Sequence, residues 1–337
     1  MTLCLSGEVL SIRANRRKVR GDKNLISIVQ LGTVDYATGL KLQRQLVALR
    51  KEEKIGDVLL LLEHEPVITL GRNAKAANVI ASPELLAQRS VELFESDRGG
   101  DVTFHGPGQI VGYPIFDLRG FARVGTGTPD RPVEHGLTAP AETAKNPHKE
   151  HDREEHDFGH AAIGQEQEAA LAAEATPRKH LGAVDFVRRL EEVLIRTCTD
   201  FAIPAKRISG LTGVWTNAGS PNAHVATAAS AVQRSEASAP VHPREAKLAA
   251  IGIHISRFVT SHGFALNVNP DLSYFDLIIP CGITSKPVTS MQKELGRELD
   301  LNRVAESISR NFGVVFQNQM LWVDTLDALL GRTVTVP

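Results

Sequence analysis

The chain has 337 residues, 42% hydrophobic and 23% charged, with 38 basic against 39 acidic side chains and a formal net charge of −1. That balance fits one large or two modest folded domains and supplies no positive field to gather phosphates, so nucleic acid is not an expected partner. Cys4, Cys198 and Cys281 are far apart with no C-x-x-C pair, which argues against a disulfide scaffold or a thiolate zinc site and for a reducing compartment.

Residues 1–24 read as an N-terminal tail, a short apolar piece followed by Arg13, Arg16, Arg17, Lys18 and Arg20. A secretory signal has the reverse order. No run approaches the roughly 20 apolar residues of a membrane span, so a cytoplasmic protein with no membrane partner is expected. Leu42, Leu46 and Leu49 fall at i, i+4 and i+7, predicting a helix closed by Gly56. Residues 57–62 and 67–70 predict buried strands, and 109–118 a long strand broken at Pro114.

Residues 124–179 and 219–243 lack the apolar side chains that offset chain entropy, and are expected to be flexible insertions in surface loops. Residues 184–201 carry the clearest helical period, with Cys198 on its apolar face as a small filler. In 247–256, Ala249, Ile251, Ile253 and Ile255 alternate onto one face, with Lys247 in phase at the strand's entrance. Asp300 is placed to cap a helix carrying Val304, Ile308 and Phe312. The sum is an α+β (mixed α/β) fold: a single domain from 25–123 and 180–337, with a mixed β-sheet flanked by helices.

Three segments stand out chemically, one of them Lys247 to Asn269 with its Ser261-His-Gly-Phe-Ala-Leu-Asn267. Residues 98–109 read Arg-Gly-Gly-Asp-Val-Thr-Phe-His-Gly-Pro-Gly-Gln, with four glycines in twelve positions, a backbone able to approach a ligand closely. The segment is neither a Walker A loop nor G-x-G-x-x-G, and a plain glycine-rich turn between strands fits the composition too. Pro280-Cys281-Gly282 places a cysteine in a tight turn, exposing its sulfur and leaving the Gly282 N–H free to meet an oxyanion. Taken singly, Lys247 also reads as a strand-end lysine lying along apolar surface, Asp97 and Arg98 as a surface pair, and His105 and His262 as structural histidines. His148, His151, His156 and His160 invite a metal reading, but they sit inside the first insertion and no metal is expected.

Together, residues 98–109, Lys247 to Gly252, His262-Gly-Phe-Ala-Leu-Asn267 and Pro280-Cys-Gly282 resemble, in this order, the motifs of the lipoyl(octanoyl) transferases. Gly210-Leu-Thr-Gly-Val-Trp215 and Tyr113-Pro-Ile-Phe-Asp-Leu118 also look like that family. The resemblance implies the fold of the biotin and lipoate ligases. It also implies transfer of octanoyl (or lipoyl) from acyl carrier protein to a lysine on lipoyl domains of 2-oxoacid dehydrogenase E2 subunits or the glycine-cleavage H protein, the first step of endogenous lipoate synthesis.

By the same resemblance Cys281 is the nucleophile, forming an acyl thioester, and Lys247 tunes the thiol and handles protons. The substrate site carries over to Arg98, Gly99, Gly100, Asp101, Val102, Thr103, Phe104 and His105, to Ala250, Ile251 and Gly252, and to Gly263, Phe264 and Ala265. Ile251 and Phe264 are the expected walls of an apolar slot, with Gly252 and Gly263 leaving room for the acyl chain. No cofactor is implied, and a monomer is expected. An ATP-dependent ligase on the same fold carries R-x-S-G-G-G-A-x-x-H and no nucleophilic cysteine, unlike this chain. A binding module that kept the pocket, and a hydrolase pairing Cys281 with His105 or His262, are the other readings.

Overall fold

The computed structural model describes residues 24–121, 180–218 and 244–331. The insertions expected at 124–179 and 219–243, the histidine cluster within the first, and all but the last residue of the 1–24 tail lie outside the described residues. In chain order the elements are β1 (Leu25–Val34), α1 (Tyr36–Lys51), β2 (Asp57–His64), β3 (Val67–Leu70), α2 (Pro83–Gln88), β4 (Glu92–Glu95), β5 (Val102–His105) and β6 (Gln109–Ile115). There follow α3 (Ala183–Asp200), β7 (Lys206–Ile208), β8 (Leu211–Ala218), β9 (Arg244–Ser256), β10 (Val259–Asn267), α4 (Met291–Leu295), α5 (Leu301–Phe316), β11 (Gln319–Trp322) and α6 (Leu326–Leu329).

Among the described residues eight strands form one mixed sheet in the order β11-β1-β2-β6-β10-β9-β8-β7, and β4-β3-β5 form a second. Pairing is parallel for β11–β1, β1–β2 and β3–β4 and antiparallel elsewhere. The expected α+β architecture is the one observed.

Alternation along the strands divides the interior. On one face of the large sheet Leu59, Leu61, Ile110, Phe264 and Leu266 meet α3 and α5, where Phe186, Phe312 and Phe316 pack around Phe116. On the other face Val58, Leu60, Leu62, Val111 and Tyr113 meet Leu46 of α1. The small sheet buries Ile68, Val102 and Phe104 against Phe275 and Leu277.

The helices start where short polar side chains cap them. Asp35 accepts the Thr38 N–H at 2.8 Å and Asp300 the Asn302 N–H at 2.8 Å, satisfying first-turn donors. Cys198 is fully buried on the inner face of α3, where burial pushes its thiol up to about 12. Native protein should therefore be alkylated at Cys281 and spared at Cys198, as peptide mapping after brief iodoacetamide treatment would show.

The strand expected over 109–118 differs in where it stops. It runs through Pro114, which pairs with Leu59, and ends at Ile115. The ladder to β10 has already finished at Gly112, so the proline's missing N–H deprives no neighbour there.

Candidate active site

The sheet's α1 face carries a cleft enclosing about 480 Å³, open mouth included, with Cys281 on its lining. Its floor comes from β6, β10 and β9, where the cross-strand pairs Val111–Ala265–Ala250 point their side chains the same way. Tyr36, Tyr113, Arg98 to Asp101, Thr103 and His105 complete the lining, with the Tyr36 ring stacked on His105 at 6.4 Å between centroids.

The cysteine is held as the sequence led one to expect, in a single 3₁₀ turn, Pro280–Gly282. Cys281 adopts φ 55°, ψ 22°, a left-handed conformation rare for a side-chain-bearing residue, with Gly282 also left-handed at φ 67°. The turn hangs on Asn78, whose carbonyl accepts the Ile279 N–H at 2.7 Å and whose Nδ2 donates to Asp101 Oδ2 at 2.6 Å. The Gly282 N–H, expected to be free for an oxyanion, instead donates to the Ile279 carbonyl at 3.1 Å, because closing so tight a turn consumes that donor.

Lys247 donates from Nζ to Cys281 Sγ at 3.0 Å. Plain alternation would have turned Lys247 toward the helices with Ala249. In the ladder to β8, however, Val214 opposes Ala249 while Trp215 opposes Lys247, so Leu248 is an extra residue in β9. Leu248 and Ala249 are both buried in the helix-side core, and the phase flips. Lys247 thereby joins the cleft face. Its main chain is clamped on the side away from β8, donating to Pro287 O at 2.8 Å and accepting from Thr289 N at 2.9 Å.

The predicted substrate residues divide by strand phase. In β5 Thr103 and His105 face the cleft, whereas Val102 and Phe104 point into the small-sheet core at 0% and 1% exposure and touch no part of it. Ile251 and Phe264 border the cleft but are not its walls: they pair with each other and send their side chains to the helix-side core, where Phe264 packs on Phe312. Nor do the glycines leave room for an acyl chain. A Cβ on Gly252 would lie 2.6 Å from Gly99 O, and one on Gly263 would lie 2.1 Å from Gly112 O. At Gly252 the glycine-rich loop lies directly on β9, with the Gly99 N–H donating to Ile253 O at 3.0 Å. Gly252→Ala should push that loop off the sheet and slow acylation of Cys281 at least tenfold, read as the initial rate of adduct formation.

Arg98 is not a surface group. Its buried guanidinium donates to Thr69 O and Asp101 O, both at 2.7 Å, and to Thr69 Oγ1 and Gly99 O. Burial lowers its pKa. Asp97 turns the other way and pairs with His262 Nε2 at 2.8 Å. His262, set aside at first as structural, lines the cleft with φ 54° and with its backbone N–H donating to Gln43 Oε1 at 2.7 Å. Tyr36, Val111 and Tyr113 were likewise missed; the last two are legible from alternation in β6, but nothing in the sequence singles out Tyr36.

His64 and His105 are neutral at pH 7, because burial disfavours the imidazolium. Burial brings His64 down to about 4 and His105 to about 3. His64 Nδ1–H donates to Val34 O at 2.7 Å, so its Nε2 accepts from the Tyr113 hydroxyl at 2.6 Å. His105 Nδ1–H donates to Gln109 Oε1 at 2.7 Å, and Gln109 Nε2 passes the chain to Asn267 Oδ1 at 2.8 Å. Neither His105 nor His262 is the sulfur's hydrogen-bond partner; among the described residues that role is taken by Lys247. Between pH 6.5 and about 4 the unfolded chain binds a proton that folded His64 refuses, so stability falls as pH drops through that window. The loss should amount to about 3 kcal/mol, and His64→Gln should flatten the slope of urea-unfolding free energy against pH without abolishing it, since His105 remains.

Residues 35–127 and 172–313 match the model of the lipoyl protein ligase A/B catalytic domain. The chain is 47% identical to an octanoyltransferase of Koribacter versatilis, over 93% of each chain. It is 42% identical to one of Acidobacterium capsulatum, over 93% of this chain and 98% of that one. Among solved structures it resembles an archaeal lipoylation system from Thermoplasma acidophilum, a bipartite lipoate protein ligase and its E2 lipoyl domain. The TM-score is 0.51 at 11% identity, covering 91% of this chain and 90% of that one, a likeness of fold. With a cysteine on the lining of the cleft in contact with a lysine, and relatives this similar over nearly the whole length, the chain belongs to the lipoyl protein ligase A/B catalytic domain family, among its octanoyltransferases.

Proposed function

We propose that this chain moves an octanoyl group from acyl carrier protein to a lysine of a lipoyl domain through a thioester on Cys281. The observation that carries the reading is the 3.0 Å contact between Lys247 Nζ and Cys281 Sγ. A free thiol is only a few per cent thiolate at neutral pH. An ammonium at about 4 Å, in surroundings of effective dielectric about 20, favours the thiolate by up to about 4 kcal/mol.

The thiolate attacks the donor's thioester carbonyl, the C–S bond to the carrier's pantetheine arm breaks, and the Lys247 ammonium gives its proton to the departing sulfur. The acceptor lysine's amine then attacks the acyl-Cys281 carbonyl. Neutral Lys247 takes the amine's proton, and Cys281 leaves as thiolate, restoring the starting pair. Thioester exchange is nearly level in energy and the amide is lower, so neither nucleotide nor metal is required.

Val111, Ala250 and Ala265 flank the acyl chain, where each buried CH₂ contributes about 0.8 kcal/mol. Arg98 to Asp101, Thr103 and His105 form the loop side of the same site. The protein acts as a cytoplasmic monomer on lipoyl domains of E2 subunits or the H protein. No described helix is long and apolar enough to cross a membrane.

Incubation with octanoyl-carrier protein and an apo lipoyl domain, without ATP, should yield octanoyl-lysine on that domain. Transfer only from free octanoate with ATP, through an acyl-adenylate, would replace this reading with the ligase one.

A further inference from the structure

We propose that Trp215 is a positioning residue: its indole face holds the Lys247 ammonium against Cys281. The inference rests on the transferase reading and adds to it a residue that touches neither acyl group nor sulfur. Trp215 on β8 directly opposes Lys247 on β9, and Nζ lies 5.1 Å from the ring centroid while reaching Cys281 Sγ at 3.0 Å. The ammonium is thus held by the π face of an indole and by a sulfur, within the range where a cation is attracted to an aromatic quadrupole.

Three further observations support a role for the ring face rather than for bulk. Trp215 is 1% exposed, yet its Nε1 has no hydrogen-bond partner among the described residues. A buried indole N–H ordinarily finds an acceptor, and phenylalanine would fill apolar space without leaving a donor orphaned. Tryptophan offers the strongest cation-binding face of the aromatic side chains, the property this position uses. On its other side Trp215 opposes Lys206 of β7, but Lys206 Nζ is drawn to Glu245 Oε1 at 2.8 Å. The third concerns Gly213, also on β8, where a Cβ would sit 2.5 Å from Ala249 O and 3.2 Å from Lys247 Cε, so the glycine both lets β8 lie close on β9 and leaves the lysine's stem room along it.

Without the ring, a four-carbon stem with free rotation would take the charge away from the sulfur for much of the time. Acylation needs the charge beside the thiolate and should suffer, while substrate binding should not.

The chain has two tryptophans, and Trp322 lies exposed on β11, at the edge strand of the sheet beyond β1. Trp322→Phe leaves Trp215 alone to carry mono-, di- and trifluorinated tryptophan, which drain the ring face while keeping its shape. The expected result is a stepwise fall in the initial rate of octanoyl-adduct formation, about tenfold overall, with KM for the octanoyl-carrier unchanged and the ultraviolet thiolate absorbance at neutral pH falling in parallel. A rate and an absorbance indifferent to fluorination overturn the role of Trp215 while leaving the transferase reading in place. No adduct in the unfluorinated Trp322→Phe protein overturns both.

Discussion

Lys247→Ala is expected to lower the rate of Cys281 acylation by about 10²–10³-fold at neutral pH. The figure follows from the contact at 3.0 Å. Removing an ammonium at that distance removes an attraction of up to about 4 kcal/mol for the attacking thiolate, and with it the proton donor to the leaving sulfur. Lys247→Arg separates the two halves of the cycle. A guanidinium still favours the thiolate but does not give up or accept a proton in this pH range. Rapid alkylation of Cys281 should therefore persist in Lys247→Arg, while discharge of the acyl group onto a lipoyl-domain lysine falls as far as in Lys247→Ala. Stopped-time intact-mass measurements of both steps check this, and equal discharge by Lys247→Arg and the parent protein would remove the lysine from proton transfer.

Arg98→Ala should damage stability and activity together. Its guanidinium ties the glycine-rich loop to β3, donating to the carbonyls of Asp101 in the loop and Thr69 on the strand, and removing it leaves both without that donor, at about 3–5 kcal/mol in total. The effect travels through Asp101, which fixes Asn78, from which the Cys281 turn hangs. A displacement of that turn by about 1 Å is enough to cost about 10²-fold in acylation. Arg98→Lys should not rescue, because an ammonium cannot reach Thr69 and Asp101 at once from one point. Urea unfolding and adduct-formation rates measured on the same samples test both halves of the expectation.

The strands at 57–62, 67–70, 109–118 and 247–256 and the three long helices followed from the apolar pattern; the other strands did not. Alternation in 247–256 correctly put Ala249, Ile251, Ile253 and Ile255 toward the helices. It failed at Lys247, because a one-residue bulge at Leu248 leaves no mark in the side-chain pattern; both Leu248 and Ala249 are apolar, as a bulged core strand requires. The Pro-Cys-Gly turn was readable from its residues. The fate of the Gly282 N–H was not, because it depends on how the turn closes on Ile279. Reading residues 98–105 as one block hid a period of two: β5 sends Thr103 and His105 to the cleft and Val102 and Phe104 to a core of their own. Tyr36 and His262 reach the cleft through tertiary packing, one from the start of α1 and one from β10, and no local pattern announces such convergence.

The central claim is the covalent step at Cys281, and the most direct test is the intact mass of the protein after incubation with octanoyl-carrier protein. The account predicts one hydroxylamine-labile octanoyl group that maps to the Cys281 peptide, is absent from Cys281→Ala, and is discharged on adding a lipoyl domain. Octanoyl transfer to the lipoyl domain by Cys281→Ala at the parent rate would contradict it.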